Sequence, residues 1–165
     1  MIDGANRPHH GFSFDGTGQG ATVPLLFFSE PDMTMKYQGG CLCGAVRYSA
    51  EGEPINQRVC HCRLCQKAIG AAFNARLLFR IDAVAVEGPL AMVNSSSEIR
   101  RGFCPHCGTT MFSRRDAAGV MGVTSGSLDD PAAFKPEMHI YTASKQAWLT
   151  INDGLPQFEG APPPA

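Results

Sequence analysis

Seven cysteines gathered into three tight clusters constrain this chain more than any other feature. Cys41 and Cys43 form a C-x-C. Cys60, Cys62 and Cys65 form a C-x-C-x-x-C within VCHCRLC, and Cys104 and Cys107 form a C-x-x-C within FCPHCG. Thiols this closely spaced, flanked by glycine, proline and polar residues, read as metal ligands. An odd count strands one thiol in any disulfide scheme. No secretory signal pattern is visible, because the apolar run at 23–28 is short and lacks preceding basic residues. No stretch approaches the roughly 18 apolar residues of a membrane span. We therefore expect a cytoplasmic protein with reduced thiols and no membrane partner. A redox C-x-x-C would open a helix in a βαβ pattern, whereas short, glycine-punctuated, strand-like segments surround these cysteines.

Zinc uses all seven thiols. Four close one tetrahedral site, and three leave a second ion with one open position, a division that elsewhere separates structural from catalytic zinc. In the C-x-x-C, Pro105 fixes φ in the turn and Gly108 accepts the positive φ that follows. The spacing leaves open which clusters share the closed site. Cys60, Cys62 and Cys65 can hold an ion from one short turn. Joining the 41/43 pair to the 104/107 pair would tie the beginning of a domain to its end. A structural zinc contributes on the order of 10–16 kcal/mol, more than the net stability of a typical small domain.

The chain has 165 residues, 44% of them hydrophobic, and a formal net charge of −1. That is one domain with enough apolar content for a core, and it lacks the basic face of a nucleic-acid binder. Two basic pairs, Arg100-Arg101 and Arg114-Arg115, are candidates for a small anion or else solvated charge. Residues 1–34 are glycine-rich and without period, and read as a flexible extension. Residues 35–160 form the zinc-binding domain, and 161–165 a flexible tail. Within the domain the pattern is all-β. Strands are expected over 46–50, 72–81 (with Phe73, Ala75, Leu77 and Phe79 on one face), 84–87, 98–103, 109–113, 120–124, 138–141 and 148–151. Only 64–71 has helical character.

The order GGCLCGAVRY, CHCRLCQK, FCPHCGTTMF, GSLDDP, HIYTASKQAW and NDGLPQF, from Tyr37 to Phe158, resembles the glutathione-dependent formaldehyde-activating enzyme (GFA, or CENP-V) family. The resemblance implies a small zinc-stabilised β-tent fold and a zinc-dependent carbon–sulfur lyase-type enzyme with two zinc ions per chain. By position it implies a structural zinc on Cys41, Cys43, Cys104 and Cys107 and a catalytic zinc on Cys60, Cys62 and Cys65. The implied reaction joins a thiol, glutathione, to formaldehyde or a related small aldehyde, giving S-(hydroxymethyl)glutathione. The trio would then hold metal rather than act as covalent nucleophiles. A non-catalytic zinc-stabilised binding module is the alternative. The oligomeric state is left open.

Other residues near the motifs have plainer readings. Arg63, Lys67 and Arg76 are the cations nearest the trio in sequence and read as surface charge. His61, between two trio cysteines, is expected to point away from the metal. His106 should be exposed and His139 structural. Trp148 and Phe158 read as buried packing, and Asp129-Asp130 before Pro131 as a turn.

Overall fold

A computed structural model describes residues 35–162. The expected flexible extension over 1–34, and residues 163–165 of the expected tail, lie outside the described residues. The chain runs β1 (Lys36–Gly40), β2 (Arg47–Glu51), β3 (Asn56–Cys60), α1 (Arg63–Ile69), β4 (Asn74–Arg80), β5 (Val84–Glu87), β6 (Ala91–Asn94), β7 (Arg100–Phe103), β8 (Thr110–Arg115), β9 (Val120–Thr124) and β10 (Met138–Ile140). The fold is all-β with one short helix, as expected. A three-stranded sheet has the order β1-β2-β5, and a seven-stranded sheet the order β10-β3-β4-β9-β8-β7-β6. Among the described residues every pairing between these strands is antiparallel except β10 with β3, where Met138, His139 and Ile140 run alongside Arg58, Val59 and Cys60.

Alternation of side chains builds the core. Tyr37, Tyr48 and Ala50 turn inward from the small sheet, and Leu77, Phe79, Phe112, Met121 and Val123 from the large one. Tyr37 meets Phe79 edge-on at 5.3 Å between ring centroids, and Tyr48 meets Phe112 at 5.1 Å, so each aromatic pair joins the two sheets. Burying each large side chain contributes about 1.5–3 kcal/mol. The small sheet thereby covers one face of the large sheet.

The other face of the large sheet departs from expectation. In β4, Leu77 and Phe79 enter the core, but Asn74 and Arg76 on the opposite side are also buried. Arg76 is 6% exposed, so the reading of it as surface charge is wrong. Phe73 precedes the strand and lies half-exposed beside His61 instead of in the core. The strand expected at 148–151 is absent. Leu149 N–H donates to the Gln146 carbonyl at 3.0 Å and Lys145 Nζ to the Leu149 carbonyl at 3.1 Å, which closes the segment into a turn. Trp148 sits on that turn, 72% exposed, so its reading as buried packing is also overturned.

Candidate metal centres

The turn between β1 and β2 carries Cys41 and Cys43, and the turn between β7 and β8 carries Cys104 and Cys107. Each is a knuckle. Cys104 N–H donates to the Thr109 carbonyl at 3.0 Å, and Gly108 N–H returns to the Cys104 carbonyl at 2.9 Å. The first knuckle repeats the plan, with Cys41 N–H to the Val46 carbonyl at 3.0 Å and Gly44 N–H to the Cys41 carbonyl at 3.1 Å. Gly44 and Gly108 have φ of 77° and 75°, the left-handed turn anticipated for Gly108. One knuckle caps the small sheet and the other the large sheet, and their sulfurs meet. Sγ of Cys43 is 3.5 Å from that of Cys41 and 3.8 Å from that of Cys104. Sulfurs about 2.3 Å from a tetrahedral zinc stand roughly 3.8 Å apart, so the quartet has the dimensions of a metal site.

Donors around the quartet are aimed at its sulfurs. Val46 N–H points at Cys41 Sγ over 3.2 Å. Thr109 Oγ1 accepts from Leu42 N–H at 3.1 Å and lies 3.2 Å from Cys107 Sγ, so one hydroxyl stitches the two knuckles together. That hydroxyl, helped by the Thr109 amide, pulls the Cys107 thiol down to about 5.

The second group forms where β3 ends. Cys60 is the last residue of β3, Cys62 caps α1 with its Sγ accepting from Cys65 N–H at 3.3 Å, and Cys65 lies in the first turn of that helix. The helix is thus a consequence of the motif, since the cysteine side chain satisfies one of its free amides. Among the described residues the ligand atoms fall into two groups, each within 4.8 Å: Cys41, Cys43, Cys104 and Cys107, and Cys60, Cys62 and Cys65. Either could hold a metal ion. All seven cysteines are free thiols. Crowding divides the charge of the trio unequally. Contacts with Cys62 and Cys65 raise Cys60 above the thiol range. The hydrogen bonds to Cys60 and Cys62, with Arg101 and Arg76 nearby, hold Cys65 below it. A cation resolves that conflict, and an all-thiol donor set suits zinc.

A cavity of about 240 Å³ opens onto the trio, lined by Cys60, Cys62, Cys65, Arg76, Arg115 and Tyr141 together with Leu64 and Ile99. Arg101, 3% exposed, places Nη2 3.7 Å from Cys65 Sγ. Tyr141 adopts φ 56° and ψ 40°, the left-handed region that non-glycine residues rarely occupy. Its N–H donates to the Gly160 carbonyl at 2.9 Å, and the next residue, Thr142, donates to Phe158 at 3.0 Å, so the C-terminal segment holds it there.

His61 is fully buried and outside the trio's ligand group, in keeping with its expected orientation. It heads a chain that sequence reasoning missed. His61 Nε2 is 2.9 Å from His139 Nδ1, and His139 Nε2 is 2.7 Å from Asp153 Oδ2. The carboxylate accepts from His139 Nε2–H, so His139 Nδ1 accepts in turn and His61 donates from Nε2. Burial holds His61 neutral by lowering its pKa. His106 is exposed and Phe158 packs against Cys60, Cys65 and Ile140. Asp129 and Asp130 form the expected turn. Asp129 grips Arg47 through both oxygens, and Asp130 caps Ala132 N–H at 2.9 Å. Arg63 and Lys67 line a separate surface cleft beside Trp148.

A family model described as glutathione-dependent formaldehyde-activating enzyme matches residues 36–144, a span that contains both cysteine groups. A Schizosaccharomyces pombe protein described as an uncharacterized lyase is 32% identical over 77 residues, or 47% of this chain. That match spans little more than half of the relative, 56% of its length. A crystal structure of a Rhodobacter sphaeroides protein aligns at 21% identity with a TM-score of 0.49, covering 75% of this chain and 99% of that one. No helix among the described residues is long and apolar enough to cross a membrane.

Proposed function

This chain belongs to the glutathione-dependent formaldehyde-activating enzyme family, and from that premise we propose that it is a zinc-dependent carbon–sulfur lyase-type enzyme joining a thiol to formaldehyde or a related small aldehyde. In this reading Cys41, Cys43, Cys104 and Cys107 hold a structural zinc, and Cys60, Cys62 and Cys65 hold a catalytic one. The observation that carries it is the trio itself. Among the described residues no fourth histidine, cysteine or carboxylate joins those three sulfurs, and they line a cavity of about 240 Å³. Zinc bound to three thiolates supplies one exchangeable position at which a substrate thiol is favoured in its deprotonated form.

The chain's own residues do the rest. Arg101 sets positive charge beside Cys65 and steadies the anionic sulfurs. Leu64 and Ile99 supply apolar wall, which strengthens electrostatics by thinning the water. As the sulfur attacks the carbonyl carbon, the S–C bond forms and the C=O π bond becomes an alkoxide. The proton lost by the thiol returns to that oxygen. Tyr141 carries the one hydroxyl among the residues lining the cavity, and in this scheme its Oη passes a proton to the alkoxide and is reprotonated, through water, by the proton the thiol gave up. The product is the hydroxymethyl thioether.

Metal analysis tests this reading directly. Two zinc ions per chain are expected. Cys60→Ser should remove one of them and abolish adduct formation from glutathione and formaldehyde, followed by NMR. Full metal retention in that variant would refute the assignment.

A further inference from the structure

Beside Arg80, which is paired with Asp82, four further arginines occupy the face of the large sheet that carries the trio. Register places Arg58 opposite Arg76, and Arg101 opposite Ser113. Arg115 lies two residues beyond Ser113 on the same strand, hence on the same face. Arg76 crosses Gly122, where a Cβ would come within 3.2 Å of Arg76 Cδ and 2.6 Å of Ser113 Oγ, so the missing side chain makes room for it. Among the described residues the ion pairs are Lys36–Glu51, Arg47–Asp129, Arg80–Asp82, Arg100–Asp116, Arg114–Asp116 and His139–Asp153. None includes these four.

The charge does not balance without a guest. Three thiolates around a divalent cation leave one net negative charge, and Arg101, at 3.7 Å from Cys65 Sγ, answers it. Arg76 and Arg115 line the same cavity, and no ion pair among the described residues includes either. Arg76 is more than nine-tenths buried. Its Nη1 reaches Ser113 Oγ at 3.3 Å, and its Nε has no partner. A buried donor left unpaired costs about 1–3 kcal/mol, more when charged. Arg58 adds to the excess, since it stands opposite Arg76 in register and belongs to no ion pair among the described residues. Guanidinium forks match a carboxylate in two-point geometry. Arg76 and Arg115 share one cavity with the three sulfurs, so a carboxylate they hold lies close to a thiol at the open centre.

Resting on the open-centre reading of the trio, we propose that the cavity recognises a compact mercapto acid, a thiol with a carboxylate one or two carbons from its sulfur, whose carboxylate is held by Arg76 and Arg115. Glutathione carries its carboxylates several bonds farther from sulfur.

Calorimetry on the zinc-loaded full chain tests this with 3-mercaptopropionate, 2-mercaptoethanol, propionate and glutathione. The expected result is at least tenfold tighter binding of 3-mercaptopropionate than of 2-mercaptoethanol or glutathione, with propionate competing against it. Arg76→Gln and, independently, the less buried Arg115→Gln should each erase most of that preference. Equal affinity for the charged and neutral short thiols overturns the inference and leaves the open centre standing. Tenfold tighter glutathione overturns it in favour of an extended substrate. Propionate binding with no thiol binding at all overturns the open-centre reading, and the mercapto-acid assignment with it.

Discussion

Strand alternation decides which arginine does what. In each basic pair one member turns away from the cavity, and the two that do so share Asp116. Arg100 Nε lies 3.3 Å and Arg114 Nε 2.5 Å from its carboxylate oxygens. The other members, Arg101 and Arg115, face the trio. The same resolution applies to single hydroxyls. Tyr141→Phe keeps the ring that lines the cavity and deletes the proton donor. It should lower turnover of the adduct reaction by about 10²-fold while zinc content stays at wild-type level, and unchanged turnover would remove Tyr141 from the mechanism. Tyr48 makes a separate prediction. Its phenol is buried against Ser127 Oγ at 2.8 Å, and burial pushes it up to about 12 from an ordinary 10.0. The unfolded chain loses this proton near pH 10, but the folded chain keeps it until near pH 12. Its contribution to stability is therefore complete below pH 10 and falls away as pH rises to 12, by roughly 2 kcal/mol. Urea midpoints measured from pH 9 to 11.5 should decline less steeply in Tyr48→Phe than in the wild type. Parallel curves would show that this phenol is not the titrating group.

Among the elements, β10 and the segment after it form a strap across the trio. His61 N–H donates to the Ile140 carbonyl at 3.0 Å, Phe158 N–H to the His139 carbonyl at 2.9 Å, and the His61–His139–Asp153 chain ties the C-x-C to Asp153. His139→Ala leaves the His61 Nε2 proton buried without an acceptor. It should cost about 1–3 kcal/mol in urea unfolding and speed amide exchange in α1; wild-type exchange there would mean the strap carries no strain. The clusters, the glycine after the second knuckle and the span of β9 were legible because each depends on local chemistry. The strap was not, because it joins residues 78 positions apart. Nor was β3. Its Asn-Gln-Arg-Val-Cys sequence has no apolar alternation, because one face carries Asn56, Arg58 and the cavity-lining Cys60 rather than core residues. A polar strand face looks the same in sequence whether it meets solvent or a site, which is why Arg76 was misread. The apolar run at 148–151 misled in the opposite direction, since a turn and an exposed Trp148 occupy it.

For the whole molecule, the quartet is where the two sheets are fastened at their tips, beyond the aromatic pairs of the core. A metal shared by Cys41, Cys43, Cys104 and Cys107 would close a loop of more than sixty residues, Cys43 to Cys104 being 61 apart. Its free energy would then be folding free energy, on the order of 10 kcal/mol. Cys104→Ser, or chelation strong enough to strip both sites, should therefore unfold much of the β structure by circular dichroism. Cys60→Ser, which leaves the fastening in place, should melt within several degrees of the wild type. Equal damage from the two substitutions would mean that the centres do not divide the labour in this way.

The parallel pairing of β10 with β3 has a consequence for how the protein is made. A ribosome delivers Cys60, Cys62 and Cys65 early, while the strand that will lie against them is still unwritten. The 41–107 fastening can form during synthesis. The trio has its roof, and Tyr141 its unusual backbone, only once the chain has been translated past Gly160. Fidelity of loading at that centre would then depend on what guards three bare thiols in the nascent polypeptide, a duty the finished fold no longer has.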